Sequence, residues 1–321
     1  MTSMRAIVYS EFGGPEVLRV REIEKPAPRD DEVLVRVHAT TVTAADTLVR
    51  TGGPLWGRLI LGVRRPRRPV IGTELAGVIE AVGKDVRRLA PGDQVYGFTG
   101  FKLGAYAEYA CLPERVSLVK KPANTSYEEA AAIVDGASTA LFFLRDKAQL
   151  RPGQRVLING ASGSIGTYSV QLAKHLGAEV TGVCSTRNVD LVRSLGADHV
   201  IDYTKEDFTR RRDAYDVVFD AVGKSSFLRS RRALTPRGVY VSTEVSLAVL
   251  FHALWTAITP GRRAPWGMSV EKIGLLTTIR ELVEAGVLKP VIDSRYALDQ
   301  IVEAHRYVDA GRKRGNVTVA V

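Results

Sequence analysis

Three glycines at three-residue spacing give the clearest chemical signal in the sequence. The segment RVLINGASGSIGTYSVQLAKHLGA places them between a β-branched run and an amphipathic stretch. Glycines there let the backbone turn tightly and approach a pyrophosphate, whose charge is attracted by the free amides and dipole at the start of the next helix. A strand, this loop and a helix in that order predict a dinucleotide site. The residues predicted to form it are Gly160, Ala161, Ser162, Gly163, Ser164, Ile165 and Gly166.

The end of the next predicted strand, EVTGVCS, indicates which dinucleotide binds. NAD sites usually carry an acid about 20 residues past the glycines, on the ribose 2′-hydroxyl. Here the sequence has Ser185 and Arg187 and no acid, so a 2′-phosphate would meet a hydroxyl and a guanidinium. The predicted cofactor is therefore NADPH. Tyr203, after the third strand, is predicted to face the adenine end. The alternative for Arg187 is an ordinary surface arginine in the first turn of a helix.

Two aspartates outside the glycine loop have the residue type needed for proton chemistry. Asp135 lies in an apolar helical stretch, AAAIVDGAS, where a carboxylate is costly unless it is paired or faces a polar cleft. Burial would favour its protonated form, so we hypothesise that Asp135 donates a proton. Asp46, in TAADTLVR, has two equal interpretations: a polar site residue, or the N-cap of a short helix.

The elements that must position these residues change character along the chain. Up to about residue 120, short β-branched or alternating runs broken by Gly, Pro and Asp are typical of a β barrel or sandwich. From Ser126 the pattern becomes helical, with a capping box between Ser126 and Glu129, and then strands and helices alternate as in a doubly wound parallel sheet. The prediction is an α/β chain with a β-rich domain (1–125), a Rossmann-type domain (126–270) and a tail with helices that returns to the first domain (271–321).

Composition excludes several classes of protein. Two cysteines, Cys111 and Cys184, are too few for a disulfide framework or a four-cysteine zinc site, and they favour a reducing, cytoplasmic location. No signal-peptide pattern is present, and the longest apolar run, Val245 to Thr259, is too short to span a membrane and is expected to be buried or lid-like. The net charge of +10 is scattered in small clusters without a nucleic-acid-binding module, so no specific nucleic acid is expected.

Several ordered motifs resemble the medium-chain dehydrogenase/reductase superfamily over essentially the whole length. They are GTELAGVIEAVG, GDQVYGF, GAYAEY, NGASGSIG, LGADHVIDY and VVFDAVG. Within the superfamily the sequence is most similar to the zinc-free, zeta-crystallin-like NADPH:quinone oxidoreductases. This resemblance implies a GroES-like fold for the first domain and a homodimer.

The same resemblance locates a metal site that has lost its ligands. Zinc members carry Cys-x-x-Asp, Gly-His-Glu and a third ligand four residues before a Thr. The matching positions here are Thr43, Thr73 and Asp135, and two threonines with one carboxylate do not make the Cys/His shell that zinc prefers. We therefore predict no metal, with Thr43, Asp46 and Asp135 as the catalytic candidates.

Without a Lewis acid, alcohol oxidation loses the group that would acidify the substrate hydroxyl. The predicted reaction is hydride transfer from NADPH to a quinone or an α,β-unsaturated carbonyl, a small-molecule acceptor. Three alternatives remain: a zinc-independent alcohol or aldehyde reductase, a non-catalytic NADPH-binding protein, or a nucleic-acid-binding protein.

The resemblance also implies contacts nearer the nicotinamide. The residues are Thr139, Val222, Gly223 and Asn316, and the alternative for Asn316 is a turn. Trp56, Phe98 and the segment Leu247 to Trp255 could line an apolar substrate pocket or could equally be core residues.

Overall fold

The computed structural model describes residues 2–53, 57–115 and 117–321, and Trp56 lies outside them. The strands are β1 (Ser3–Val8), β2 (Arg19–Glu24), β3 (Glu32–Thr41), β4 (Glu74–Val82), β5 (Gln94–Phe98), β6 (Tyr109–Pro113), β7 (Ser117–Lys120), β8 (Arg155–Asn159), β9 (Glu179–Cys184), β10 (His199–Asp202), β11 (Tyr215–Asp220), β12 (Leu234–Ser242), β13 (Ile292–Ala297) and β14 (Asn316–Ala320). The helices are α1 (Ala44–Thr51), α2 (Arg58–Leu61), α3 (Tyr127–Ala132), α4 (Asp135–Leu141), α5 (Ser164–His175), α6 (Val189–Ser194), α7 (Phe227–Ser230), α8 (Leu247–Ile258), α9 (Ile273–Glu284) and α10 (Ile301–Asp309).

The chain divides into two compact units. The β-rich unit comprises Met1–Asp135, Val270–Glu284 and Pro290–Val321, and the Rossmann-type unit comprises Gly136–Ser269 and Ala285–Lys289. The first division therefore falls at 135/136, whereas the sequence placed it at 125/126.

The β-rich unit is built on a sheet with the strand order β13-β14-β3-β4-β5-β7, in which β6 also pairs with β3. The last strand, β14, runs antiparallel to β3 with Thr318 opposite Thr41, so the C-terminal tail completes this sheet. Alternating side chains of β3 and β4, among them Val33, Val35 and Leu75, are fully buried in its core. The ends of β3 and the start of β4 carry the polar residues of the candidate site.

The Rossmann-type unit contains a parallel sheet with the order β10-β9-β8-β11-β12. The order reverses direction between β8 and β11, and in open α/β sheets ligands bind at the carboxyl ends of the strands at such a point. The glycine loop follows β8 directly, so the fold places it at this position.

The predicted helix from Ser126 onward is interrupted. Ser126 does cap α3 in a capping box with Glu129, which confirms the predicted start. The helix then breaks after Ala132, because the amide of Asp135 donates to the Glu74 carboxylate instead of continuing the helical ladder, and the amide of Val134 bonds only three residues back, to Ala131. A tertiary contact thus divides one helical pattern into α3 and α4.

The apolar run Val245 to Thr259 also differs from expectation. It forms α8, and most of its large apolar side chains are exposed, so the expectation that it is buried is wrong, while the alternative of a lid-like segment stays a prediction. Among the described residues, no helix has the length and apolar character needed to cross a bilayer.

Candidate active site

Asp46 lies at the centre of a hydroxyl cluster in the β-rich unit. Thr43 is the N-cap of α1, and its hydroxyl donates to Asp46 Oδ2 (2.7 Å) while its backbone amide donates to the same oxygen (2.9 Å). Thr73, just before β4, donates its hydroxyl to Oδ1 (3.1 Å). The interpretation of Asp46 as an N-cap is therefore wrong, because Thr43 is the cap and Asp46 is the third helical residue of the capping box.

The Asp46 carboxyl is fully buried, and this changes its acidity. Burial raises the pKa of Asp46 to about 6, although its hydrogen bonds from Thr43 and Thr73 oppose the shift. Tyr106, also wholly buried, faces the same carboxylate, and burial together with that charge holds the pKa of Tyr106 far above its ordinary value. The Asp46 carboxyl therefore keeps its proton to a higher pH than an exposed aspartate does.

Glu74 is a second buried carboxyl next to this cluster. Its Oε2 accepts a hydrogen bond from the Thr41 hydroxyl, and its Oε1 accepts from the Asp135 amide (2.5 Å). Burial first, and the nearby charge of Asp135 second, raise the pKa of Glu74 well above its usual range. Glu74 therefore has the buried environment that the sequence analysis expected for Asp135.

Asp135 is paired rather than buried. Its side chain is 30% exposed, and Oδ1 lies 2.7 Å from Nζ of Lys272, whose side chain is only 1% exposed. The Lys272 ammonium also lies 5.0 Å from the centroid of the Phe98 ring, a cation–π distance. The predicted burial of Asp135 is therefore wrong, because its side chain is partly exposed and paired with a buried cation.

Sequence reasoning missed two lysines of this cluster. Lys272 precedes the apolar helix α9, and its backbone amide donates to the Ser117 hydroxyl (2.8 Å). The Lys313 ammonium donates to the Gly315 carbonyl (2.8 Å), and burial lowers the pKa of Lys313 to about 8 against the opposing charge of Glu74. Neither lysine carries a sequence signal of its own, because Lys272 follows Glu271 and Lys313 lies between Arg312 and Arg314.

A buried network holds α1 against α10 close to Tyr106. Arg50 is 2% exposed and donates to Asp309 Oδ2 (2.7 Å), while its second terminal nitrogen lies 3.2 Å from His305 Nδ1. Burial and the Arg50 charge lower the pKa of His305 to about 3, so this imidazole is neutral at physiological pH. The His305 and Tyr106 rings pack in a T-shaped arrangement, and the network therefore holds Tyr106 in position beside Asp46.

The donor set does not fit zinc. The hydroxyls of Thr43 and Thr73 are both committed as donors to Asp46, and Asp135 is paired with Lys272. Within the described ranges, no group of three or more His, Cys, Asp or Glu side chains is arranged to hold a metal ion. The side chains at the three positions that match zinc ligands are thus engaged in hydrogen bonds and one ion pair.

The glycines of the Rossmann-type unit differ in what surrounds them. Gly160 has φ 81°, and a Cβ on Gly166 would lie 2.1 Å from the Gly160 carbonyl oxygen, so both positions require glycine. Gly163, the N-cap of α5, is different because a Cβ there would meet nothing closer than 3.5 Å. Its open side is the surface that a closely approaching pyrophosphate needs, and the loop therefore fits a dinucleotide.

The residues after β9 surround the predicted ribose site. Asn188, which sequence reasoning missed, donates to Ser162 Oγ (2.9 Å) and to Ser185 Oγ (3.3 Å) and so ties the glycine loop to the end of β9. Arg187 and Tyr203 have exposed side chains. An acid does lie nearby, Asp202 at the end of β10, but it accepts from the Thr186 hydroxyl (2.5 Å). The placement of Ser185, Arg187 and Tyr203 in cofactor binding stays a prediction.

The loop after β11 is held to the glycine loop by Asp220. This fully buried carboxylate accepts from Asn159 Nδ2 (3.0 Å) and from the amide of Ser225 (2.7 Å). The loop presents Val222, which is exposed, and Gly223, which has φ 62°. Ile165, Ser164 and Thr139 lie on the helices α5 and α4 of the same unit.

Asn316 is separate from these residues in the β-rich unit. It is the first residue of β14, it is buried, and its side-chain amide donates to the Val291 carbonyl (3.0 Å). The alternative of a turn asparagine is therefore wrong, and its reach toward the cofactor stays a prediction.

Comparisons with known proteins agree with both units. Residues 29–123 match the family model of the alcohol dehydrogenase GroES-like domain, and residues 195–319 match that of the zinc-binding dehydrogenases. The chain is 33% identical to a quinone oxidoreductase of Pseudomonas aeruginosa, over 98% of this chain and 99% of that one. It is also 33% identical to a 2-methylene-furan-3-one reductase of Solanum lycopersicum, over 99% of this chain and 79% of that one.

Solved structures give the same result. The quinone oxidoreductase of Coxiella burnetii superposes with a TM-score of 0.89 at 29% identity, covering all of both chains. The Escherichia coli quinone oxidoreductase in complex with NADPH superposes with a TM-score of 0.83 at 26% identity, over 99% and 100% of the two chains.

The fold and these matches define an oxidoreductase with a GroES-like and a Rossmann-type unit, as predicted. The chain belongs to the medium-chain dehydrogenase/reductase superfamily and, within it, to the quinone oxidoreductase branch.

Proposed function

We propose that the protein transfers hydride from NADPH to a quinone or an α,β-unsaturated carbonyl without zinc. The observation that carries this proposal is the cluster in which Thr43 and Thr73, at two former ligand positions, both donate to Asp46. Such a site cannot polarise an alcohol through a metal, but it can accommodate an acceptor that is already electron-poor. NADPH, when bound, supplies the hydride.

The chain's own residues would bind the cofactor and manage the proton. The glycine loop and the first amides of α5 bind the pyrophosphate, and the hydroxyls and guanidinium after β9 face the 2′-phosphate. After hydride addition the substrate becomes an anion that must be protonated. Asp46, with its raised pKa, is the predicted residue that holds a proton at its carboxyl, with Thr43 orienting it. Asp135 stays in the proposed site as the partner of Lys272 and as a charge acting on Glu74.

The function is tested by following the loss of NADPH absorbance with three acceptors: a quinone, an enone and a simple aldehyde. Turnover with a quinone or an enone, unchanged by a metal chelator, supports the proposal. Turnover with the aldehyde alone would favour an alcohol or aldehyde reductase. Tight NADPH binding with no turnover would favour a non-catalytic protein, and an RNA complex that survives moderate salt would favour nucleic-acid binding.

Replacing Gly163 with Ala is expected to weaken NADPH binding by about tenfold or more and to lower thermal stability only slightly, through the less favourable N-cap of α5. The added methyl has room within the protein, so the fold tolerates it, but it occupies the side on which the pyrophosphate would approach. Titration calorimetry and a melting curve measure the two effects. Gly274→Ala in α9, where a Cβ also has open space, is the matched control: it should leave NADPH affinity unchanged and raise the melting temperature slightly, because alanine is the better helix former. Equal NADPH affinity in Gly163→Ala and the wild type would contradict the proposed loop contact.

Replacing Arg187 with Ala is expected to weaken NADPH by about tenfold and to leave NADH unaffected, because only NADPH carries the 2′-phosphate. Arg193→Ala, an exposed arginine on the adjacent helix α6, serves as the control for a general change in surface charge. If NADH binds as tightly as NADPH to the wild type, and Arg187→Ala alters neither affinity, the assignment of Ser185 and Arg187 is wrong.

We also propose a cytoplasmic homodimer. The dimer rests on the family, and sedimentation velocity tests it. The location rests on the two cysteines, which are free thiols whose pKa burial raises to about 11 in both cases. Fractionation of the host cell tests it.

A further inference from the structure

Helix α8 of the Rossmann-type unit carries a continuous apolar stripe on its outer face. Leu247 and Ile258 are 85% and 84% exposed, and Phe251, Leu254 and Trp255 between them are also exposed. Their spacing of four, three, one and three residues places all five on one side of the helix. Amphipathic helices normally turn such a stripe toward the core of their own domain. Here the stripe is exposed, so none of the described residues covers it.

The opposite side of α8 is the one that packs against the unit. Thr256 is buried and its hydroxyl accepts from the Ala264 amide (2.9 Å), while Phe227 of α7 contacts His252 with ring centroids 5.5 Å apart. Trp255 lies at the border of the two sides, with its ring centroid 6.4 Å from that of Phe227. The helix is therefore anchored in one orientation, and exposure of the stripe is a consequence of that packing.

Basic residues border the stripe at the C-terminal end of α8. A crevice of about 260 Å³ is lined by Trp255 together with Arg231 and Arg262. Arg262 is paired with Asp213, but the exposed arginines at 231, 232, 237 and 263 have no acidic partner within the described part of the chain. α8 itself contains no Asp, Glu, Lys or Arg. The surface thus combines an apolar ridge with a cluster of uncompensated positive charge.

We propose that this ridge and its arginines bind the surface of an anionic lipid bilayer, with α8 lying in the interface. Exposed Leu, Phe, Ile and Trp side chains insert into the headgroup region, and neighbouring arginines are attracted to acidic headgroups. A second copy of the chain fits less well. A second α8 on the same ridge would bring no Asp or Glu to the arginines, whereas an acidic bilayer supplies the opposite charge.

Bilayer binding stands independently of the proposed reaction, since it uses none of the candidate site residues. It would have a consequence for that reaction, because apolar quinones concentrate in the bilayer and the enzyme would be held at their source. A protein that binds vesicles yet reduces neither a quinone nor an enone would support the surface and refute the function, so the two failures are distinguishable.

Vesicle co-sedimentation of the full-length protein tests the proposal. Vesicles of phosphatidylcholine with about 30% phosphatidylglycerol should bind at least about fivefold more protein than phosphatidylcholine alone, and about 0.5 M salt should remove most of the difference. The double variant Leu254→Ser/Ile258→Ser should lose about tenfold in binding. Leu59→Ser/Phe101→Ser, which removes two equally exposed apolar side chains from the β-rich unit, should bind like the wild type.

Further measurements keep the test decisive. Arg231→Ser/Arg232→Ser should reduce binding to anionic vesicles and not to neutral ones, and it provides a second variant if the α8 change impairs folding. Unchanged NADPH affinity shows that a variant is folded. Equal binding to neutral and anionic vesicles, or full binding by Leu254→Ser/Ile258→Ser, would overturn the proposal. So would a lipid-free dimer that this variant dissociates, because the occupant of the face would then be a second copy.

Discussion

Asp135→Asn is expected to lower the free energy of unfolding by about 3 kcal/mol or more, although the change is nearly isosteric. The reason is Lys272, the buried partner of Asp135 that the substitution leaves in place. Lys272 is 1% exposed, and without the Asp135 carboxylate its buried ammonium would lose the anion of this ion pair. Urea unfolding at neutral pH measures the loss.

The matched variant is Lys272→Met, and it should cost less, about 1 kcal/mol, because Asp135 is 30% exposed and water can solvate its carboxylate. The double variant should resemble Lys272→Met, since neither charge is left. A double-mutant cycle then gives a coupling energy of about 3 kcal/mol or more. Additive losses, or a larger cost for Lys272→Met than for Asp135→Asn, would show that the ion pair does not control stability here.

The same variant separates a structural role from a role in proton chemistry. The Asp135 charge is one cause of the raised pKa of Glu74, so Asp135→Asn should move any limb of the pH–rate profile that Glu74 sets to lower pH. Turnover that is unchanged across pH would remove Asp135 from the mechanism.

The cofactor loop could be predicted from sequence because its determinants are local. Gly160, Gly163 and Gly166 lie within seven consecutive residues, and the strand and helix that flank them are contiguous with the loop. Even so, the sequence treats the three glycines alike. Only the three-dimensional structure shows that glycine is needed at the two positions for different reasons. Gly166 packs against the Gly160 carbonyl, whereas Gly163 faces open space.

The carboxylate cluster could not be predicted in the same detail because its partners are distant along the chain. Lys272 is 137 residues from Asp135, and Glu74 is 61 residues from it. An aspartate in an apolar stretch predicts that some compensation exists, but it does not predict whether burial with a proton or pairing with a cation supplies it. The sequence pattern favoured the first for Asp135, whereas the structure shows pairing with a cation at Asp135 and burial with a raised pKa at Asp46 and Glu74.

The prediction that helix α8 is buried was wrong for another reason. Apolar composition reports that a segment prefers to leave water, and it does not report what covers the segment. An apolar segment is usually covered by the core of its own domain, whereas in α8 the stripe from Leu247 to Ile258 points outward. The prediction of burial was therefore correct that the segment is apolar, and wrong that the core of its own unit covers it.

Asp46→Asn is expected to become progressively more stable than the wild type as the pH rises from about 4 to about 7, by a total of about 3 kcal/mol. The ordinary pKa of this carboxyl is 3.8, and burial in the folded protein raises the pKa of Asp46 to about 6. Between these values the folded state binds more protons than the unfolded state, so a rise in pH costs stability until Asp46 is ionised. Asparagine has no such cost.

The geometry allows this substitution. The asparagine oxygen can accept from the Thr43 amide and hydroxyl, and its NH₂ group can donate to the Thr73 hydroxyl, which is able to accept. Urea unfolding of both proteins at intervals of pH gives the difference directly, and other titrating groups cancel. Asp31→Asn, an exposed carboxylate of the same unit, should give a nearly flat difference. A difference for Asp46→Asn that is independent of pH, or that falls as pH rises, would show that Asp46 ionises in the folded protein as it does in water. The hydroxyls of Thr43 and Thr73 would then compensate its charge fully, and Asp46 would no longer be a proton donor near neutral pH.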